Sequence, residues 1–243
     1  MINAFYTGAT GLNAFQESMD VIGNNIANVN TNGYKAVGTS FNDLLYSEMY
    51  VNTPNSPLIG HGVKATTKGI EAGQGITLPT SGKLDLAIAG RGWFALEAEN
   101  GKLYTRDGSF AISLSGNTAY LVNKDGNYVL DAGGKRISAT IDQKTTSIDT
   151  DALVKQIGIF EFAYPEALTP VSSNCYRAND FTGTATAAAQ GDNTILVGYL
   201  EQSGVSITDE MANLITAQRG YQLSARVVQV ADEIEQTVNS LRA

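Results

Sequence analysis

The chain holds one cysteine and one histidine in 243 residues. Cys175 alone excludes an intrachain disulfide and a thiolate metal cluster. His61 alone cannot build a multi-histidine metal site. Charge is sparse, at 16% of residues, and acidic, with 16 Lys and Arg against 24 Asp and Glu and a formal net charge of −8. A protein that grips a nucleic-acid backbone needs clustered cations to neutralise phosphates, and no stretch here supplies them, so nucleic acid and anionic membrane surfaces are excluded as partners. No apolar run approaches the roughly 18 residues of a membrane-spanning helix. The opening MINAFYTGATGLNAFQESMD has neither a basic leader nor a continuous apolar stretch. It is therefore read as no Sec signal peptide, which leaves a cytoplasmic location or export that keeps the N-terminus intact.

Glycine, serine, threonine, asparagine and glutamine fill the place of the missing charges. Such an uncharged polar surface suits close protein contacts. The length permits one large domain or two small ones with a real core.

Both ends of the chain have helical periodicity. In the first segment, residues 1–33, apolar side chains fall at Phe5, Ala9, Leu12, Met19, Ile22, Ile26 and Val29, with Gln16 in the remaining slot. Steps of three and four define an amphipathic, heptad-like stripe. Gly8 and Gly11 weaken its first turns, and Asn32-Gly33 is the expected stop, because both residues tolerate positive φ. The last segment, residues 205–243, repeats the pattern at Met211, Leu214, Gln218, Tyr221, Ala225 and Val228, continuing through Ala231, Ile234, Val238 and Leu241. Asp209 and Glu210 sit in its first turn, where the helix dipole favours acids.

Between the helices the period changes. Residues 34–83 read as an extended linker, with Phe41–Tyr46 as helical extension or short helix and residues 51–62 as loop around Pro54, Pro57 and Gly60-His61-Gly62. Residues 84–204 carry short runs bounded by glycine: Leu84–Ile88, Trp93–Leu96, Tyr120–Val122, Tyr128–Leu130, Ile157–Ala163 and Asn193–Leu200. Asn123–Asn127 is a hairpin turn. Nothing between these runs is long enough for a crossover helix, so the expected domain is mainly antiparallel β. The fold class is α+β, with long terminal amphipathic helices packed together as a coiled-coil-like stem and a central antiparallel β domain. The stripes either pair only with each other or also meet neighbouring subunits. Glutamines in stripe positions and few charges favour the second arrangement, and a repeated heterologous contact that does not close gives a filament.

A search for chemistry assigns no catalytic, cofactor-binding or metal-binding residue. His61 has no local nucleophile motif. Gly73-Gln74-Gly75 and Gly90-Arg91-Gly92 lack the rest of any phosphate loop and read as turn glycines. Asp125-Gly126 has too few oxygen ligands at fixed spacing for calcium. Trp93, Phe94, Tyr104 and Phe110 read as β core rather than a carbohydrate platform.

Several long motifs resemble those of the flagellar basal-body rod and hook proteins. They are Gly11-Leu12-Asn13-Ala14 with Met19 through Lys35, centred on Asn24-Asn25-Ile26-Ala27-Asn28 and Asn32-Gly33-Tyr34-Lys35; then Leu84–Phe94; then Tyr104–Phe110; then Gly198–Ser206, Glu210–Ile215 and Gln218–Gln222. The family usually has Asn where this chain has Gly204, and often Ala where it has Gly220. The resemblance implies a structural axial subunit without enzyme activity or cofactor, built with an inner helical layer and an outer β domain. It implies assembly with copies of itself and with neighbouring rod and hook proteins. It also implies passage through the flagellar type III export apparatus without signal cleavage, and a place in the rod that crosses the periplasm. The assembly residues expected from the stripes and the asparagine motif are Leu12, Met19, Ile22, Asn24, Asn25, Ile26, Asn28, Met211, Leu214, Gln218, Tyr221 and Val228. A hook or hook-junction subunit of the same family is the alternative placement, and a muralytic enzyme on a rod scaffold a distant one.

Overall fold

Two long helices carry the terminal periodicity. The computed structural model describes residues 2–48, 58–99, 101–116, 118–140, 150–172, 174–188 and 193–242. Helix α1 spans Ile2–Ala27, α2 is a short helix at Thr150–Lys155, and α3 spans Ile207–Arg242. The chain divides into two units. The first comprises Met1–Ala27, Val37–Lys68 and Ser206–Ala243, and the second Asn28–Ala36 and Gly69–Val205.

In the first unit α1 and α3 run antiparallel. Gly8 faces Ser224 and Val228, Phe15 faces Gly220, and Asn25 Nδ2 donates to Glu210 Oε1 at 2.9 Å. The face of α1 buried most deeply is Gly8, Gly11, Ala14, Ser18, Ile22 and Asn25, one position round from most of the stripe read in the sequence. Small residues explain the offset, because they let two backbones approach. A Cβ on Gly8 would stand 2.8 Å from a Val228 methyl, and one on Gly11 2.9 Å from Ser224 Oγ. Alanine at Gly220 would meet the Phe15 ring at 2.4 Å, so the departure from the family's usual residue is matched by an aromatic ring in the space. Ser206 caps α3, its Oγ accepting from the Asp209 amide at 3.4 Å.

Helix α1 stops at Ala27, earlier than Asn32-Gly33. Its successor Asn28 forms a turn instead, with Thr31 N donating to Asn28 O at 3.1 Å and Thr31 Oγ1 to Asn28 Oδ1 at 3.2 Å. Short polar side chains that bond the nearby chain compete with helix propagation. Phe41 to Asp43 are strand rather than helix, lying in Val37–Asp43, which pairs with Val63–Ile70. Here Phe41 stacks on Phe15, ring centroids 5.2 Å apart, and tertiary packing overrides local preference. Tyr46–Glu48 pairs with Leu58–Gly60, so part of the expected loop is a strand. Pro54 and Pro57 lie outside the described residues.

The second unit is built on antiparallel pairing throughout its described residues. A ten-stranded sheet holds the strands Trp93–Ala98 and Gly101–Thr105 at its centre. The expected hairpin is present, with Val122 opposite Tyr128 across the Asn123–Asn127 turn. The run Asn193–Leu200 is divided at Gly198: Thr194–Val197 pairs with Leu86–Ala89, and Tyr199–Glu201 with Thr77–Pro79. Leu86, Ile88, Phe94, Leu96, Leu121 and Leu153 form the core and are fully buried, each contributing about 1.5–3 kcal/mol of apolar burial. Trp93, Phe94, Tyr104 and Phe110 are all core residues, and Phe94 packs edge-on against Phe110.

Candidate assembly interface

The face of helix α3 centred on Ala217 and Ala231 is turned to α1, with Leu214, Tyr221, Ala225 and Val228 half-buried beside it. Large apolar side chains are also left exposed: Ile207, Met211 and Ile215 in the first turns, Leu223, Val227 and Val230 further on, and Ile234, Val238 and Leu241 in the last turns. Met211, Leu223 and Leu241 are 53, 60 and 84% exposed. A helix with this much exposed apolar surface outside its one packed face is suited to further packing.

The sequence-derived candidates therefore sort by depth. Ile22 and Asn25 are buried. Leu12, Met19, Ile26, Asn28, Leu214, Tyr221 and Val228 are half-buried, and Asn24, Met211 and Gln218 are exposed. Asn25 acts inside the chain, where its side chain bonds both backbone groups of Val37, accepting from N and donating to O at 3.0 Å each, while also reaching Glu210. One amide thus joins α1, the following strand and the start of α3.

A second constellation, in the β unit, was not read from the sequence. Lys35, Arg106 and Glu201 converge with side chains 0, 1 and 0% exposed. Lys35 Nζ donates to Glu201 Oε1 and to Gly73 O, both at 2.5 Å. Arg106 Nη1 donates to Glu201 Oε2 at 3.0 Å and Nη2 to Gly90 O at 2.8 Å. The Gly75 amide completes the shell of Glu201, donating to Oε1 at 2.7 Å. Two cations face one carboxylate, and the backbone carbonyls of Gly73 and Gly90 take up the excess positive charge. Burial holds the Lys35 ammonium below its usual pKa, opposed by the attraction and hydrogen bond of Glu201 and reinforced by repulsion from Arg106. Burial lowers Arg106 as well, against Glu201. The Arg106 guanidinium also lies 5.4 Å from the Trp93 ring.

Local structure delivers each member. Gly33, at φ 67°, turns the chain against the backbone of Arg106 and Asp107, where a Cβ would stand 2.4 Å from the Asp107 amide nitrogen. The Gly33 amide donates to Glu201 O at 2.8 Å, and the Gly204 amide to Tyr34 O at 2.9 Å. Tyr176 Oη accepts from the Lys35 amide at 3.1 Å. The segment that follows α1 and the strand that precedes α3 are thereby clasped together. The motifs Asn32–Lys35, Tyr104–Phe110 and Gly198–Ser206 each contribute one ion. The available signal was one charge in each of Asn32–Lys35 and Gly198–Ser206, and Arg106 beside Asp107 in Tyr104–Phe110.

His61 bonds Ser47 Oγ at 2.9 Å in an exposed hairpin, and no carboxylate orients the imidazole among the described residues. Among the described residues no three His, Cys, Asp or Glu side chains gather to hold a metal ion. A cleft of about 290 Å³ is lined by polar residues, among them Asn28, Asp107, Asn123 and Asp125. Its acids are already engaged: Asp107 Oδ1 accepts from Ser109, and Oδ2 pairs with Lys124 at 3.3 Å.

A terminal helix pair that leaves large apolar side chains of α3 exposed, in a chain with an antiparallel β unit, has the form of a subunit made for packing. Comparison with known proteins agrees. Residues 5–35 match the family described as flagella basal body rod protein, residues 87–155 the flagellar hook protein FlgE/F/G D1 domain, and residues 196–241 the flagellar basal body rod FlgEFG protein C-terminal. The chain belongs to the flagellar basal-body rod protein family, a structural and non-catalytic family. It is 36% identical to the flagellar basal-body rod protein FlgG of Bacillus subtilis, with 100% of both chains aligned. It is 36% identical to FlgG of Agrobacterium fabrum over 98% of each chain, and 27% identical to the flagellar hook-basal body complex protein FlhP of Bacillus subtilis over 100% of each.

Proposed function

We propose that this chain is an axial subunit of the flagellar rod, polymerising helically through its terminal helices and carrying torque across the periplasm. The large apolar side chains left exposed along α3 carry the reading, because nothing among the described residues covers them. Its partners are copies of itself and the adjoining rod and hook proteins, reached through the flagellar type III export apparatus. Leu12, Met19, Ile26, Met211, Leu214, Gln218, Tyr221 and Val228 serve packing at and beside the helix pair. Ile22, Asn24, Asn25 and Asn28 hold the end of α1 in the geometry that packing needs.

Full-length relatives named as rod proteins support a rod position over the hook. Deletion of the gene tests it. Basal bodies isolated from the deletion strain should carry truncated rods without hooks, restored by the wild-type gene. Complete rods and hooks in that strain would refute the assignment.

A further inference from the structure

Positive charge runs out along the later part of the β unit. Arg177 is the one lysine or arginine between Lys155 and Arg219, whereas Glu161, Glu166, Asp180 and Asp192 all precede the clasp at Glu201. Two turns in this stretch are stapled together. Asn179 Oδ1 accepts from the amides of Phe181 and Thr182 at 2.9 and 3.1 Å, and Thr182 Oγ1 donates to Asn179 O at 2.7 Å. Asn179 Nδ2 donates to Ala167 O at 2.7 Å, and the Tyr164 amide to Thr182 O at 3.3 Å. The turn over residues 179–182 and the single helical turn Pro165–Ala167 are thus fixed to each other at both ends.

From this rigid corner stand Phe181 and Tyr164, 81 and 69% exposed. The bonds that hold both turns come from the backbone, Asn179 and Thr182, so neither ring is needed to form them. Lone exposed rings are ordinary on a protein surface. Two on stapled turns are apolar area with little conformational freedom left to lose on binding. Beside them lie Glu166 and Asp180, both exposed and neither in an ion pair among the described residues. Arg177 lines a different cleft, the one that holds Glu97 and Glu99.

The partner that fits is cationic. Arginine and lysine bring an apolar stem to the rings, attraction to the ring faces and a charge for the carboxylates. A second copy of this chain fits poorly, because it brings 24 Asp and Glu against 16 Lys and Arg. We propose that this corner is the docking site for a basic segment of a different protein, whose lysines or arginines pair with Glu166 and Asp180 while their stems lie on Tyr164 and Phe181. The site belongs to the β unit alone and stands whichever axial position the chain holds.

Photo-cross-linking of the full-length chain, expressed in a strain lacking its own copy, tests this. With p-benzoylphenylalanine in place of Phe181, irradiation of cells should join the chain to another protein. Mass spectrometry of the joined peptide should show a segment rich in lysine and arginine. Adding Glu166→Lys with Asp180→Lys should lower the yield at least about tenfold. As a second measurement, the purified chain should bind a synthetic peptide of alternating arginine and leucine in titration calorimetry. Tyr164→Ala with Phe181→Ala should weaken that binding at least about tenfold, while Trp93 fluorescence in urea shows wild-type folding. Cross-linking only to copies of this chain, to a glycan or to an acidic segment, no cross-link at all, a yield that survives the lysine substitutions, or peptide binding indifferent to the two rings would each overturn the proposal. None of those outcomes touches the rod reading, which fails instead on complete rods in the deletion strain.

Discussion

Replacing Glu201 by glutamine should strongly destabilise the β unit, and replacing Lys35 by methionine should do so far less. In the wild-type chain the carboxylate accepts from Lys35, Arg106 and the Gly75 amide, all in a site closed to water. Glutamine keeps the shape but turns one acceptor into a donor aimed at donors, and leaves two cations buried without an anion. Breaking a buried pair in this way costs about 3–5 kcal/mol. That is a large part of the roughly 5–15 kcal/mol that holds a domain folded. Lys35→Met removes the surplus cation and leaves Arg106 paired with Glu201. Its cost is the Gly73 carbonyl losing its hydrogen bond, about 1–2 kcal/mol. Trp93 is the one tryptophan of the chain, buried 5.4 Å from the Arg106 guanidinium, so its fluorescence in a urea titration reports this unit directly. Equal destabilisation by the two substitutions, or a Glu201→Gln protein as stable as wild type, would refute the reasoning.

Three further outcomes are expected. Gly33→Ala forces a side chain into positive φ and against the backbone of Asp107, and should lower the urea-unfolding free energy by about 2–5 kcal/mol, the sum of the two penalties. Leu12→Asp or Leu214→Asp should abolish assembly, scored by electron microscopy of basal bodies, while Trp93 fluorescence stays that of the wild type. Cys175 has its thiol pKa pushed from 9.0 up to about 11, first by burial and then by Asp125 and Asp107. At pH 9 the folded chain should therefore react with iodoacetamide about 50-fold more slowly than the urea-unfolded chain, following thiolate content. Because the folded pKa is the higher one, this thiol's contribution to stability is intact below pH 9 and lost as pH rises through about 11, a loss that Cys175→Ser should remove.

The helices were legible because their period is long and uninterrupted. What the period did not reveal was which face packs inward. Gly8, Gly11 and Ser18 lie on the buried face, yet none stands out as hydrophobic, since close approach rewards small size rather than apolarity. The exposure of Met211, Ile234, Val238 and Leu241, all on the α3 stripe read in the sequence, was not legible either, since periodicity marks apolar positions and not what covers them. Strand positions in the β unit followed from alternation and glycine turns. Phe41 did not, because its strand conformation depends on Phe15 in a distant segment. The clasp was invisible in principle, since Lys35 and Glu201 are 166 positions apart and a lone charge looks like surface until the fold buries it. The flanking motifs were recognised as wholes, and only the fold explains why each holds one ion of the clasp.

Cryo-electron microscopy of intact basal bodies, with side chains of this chain traced, tests the central claim most directly. The account predicts the chain in the rod, with the exposed apolar side chains of α3, Leu223, Val227 and Val230 among them, covered by a neighbouring subunit. A rod density in which those side chains face solvent, or from which this chain is missing, would contradict it.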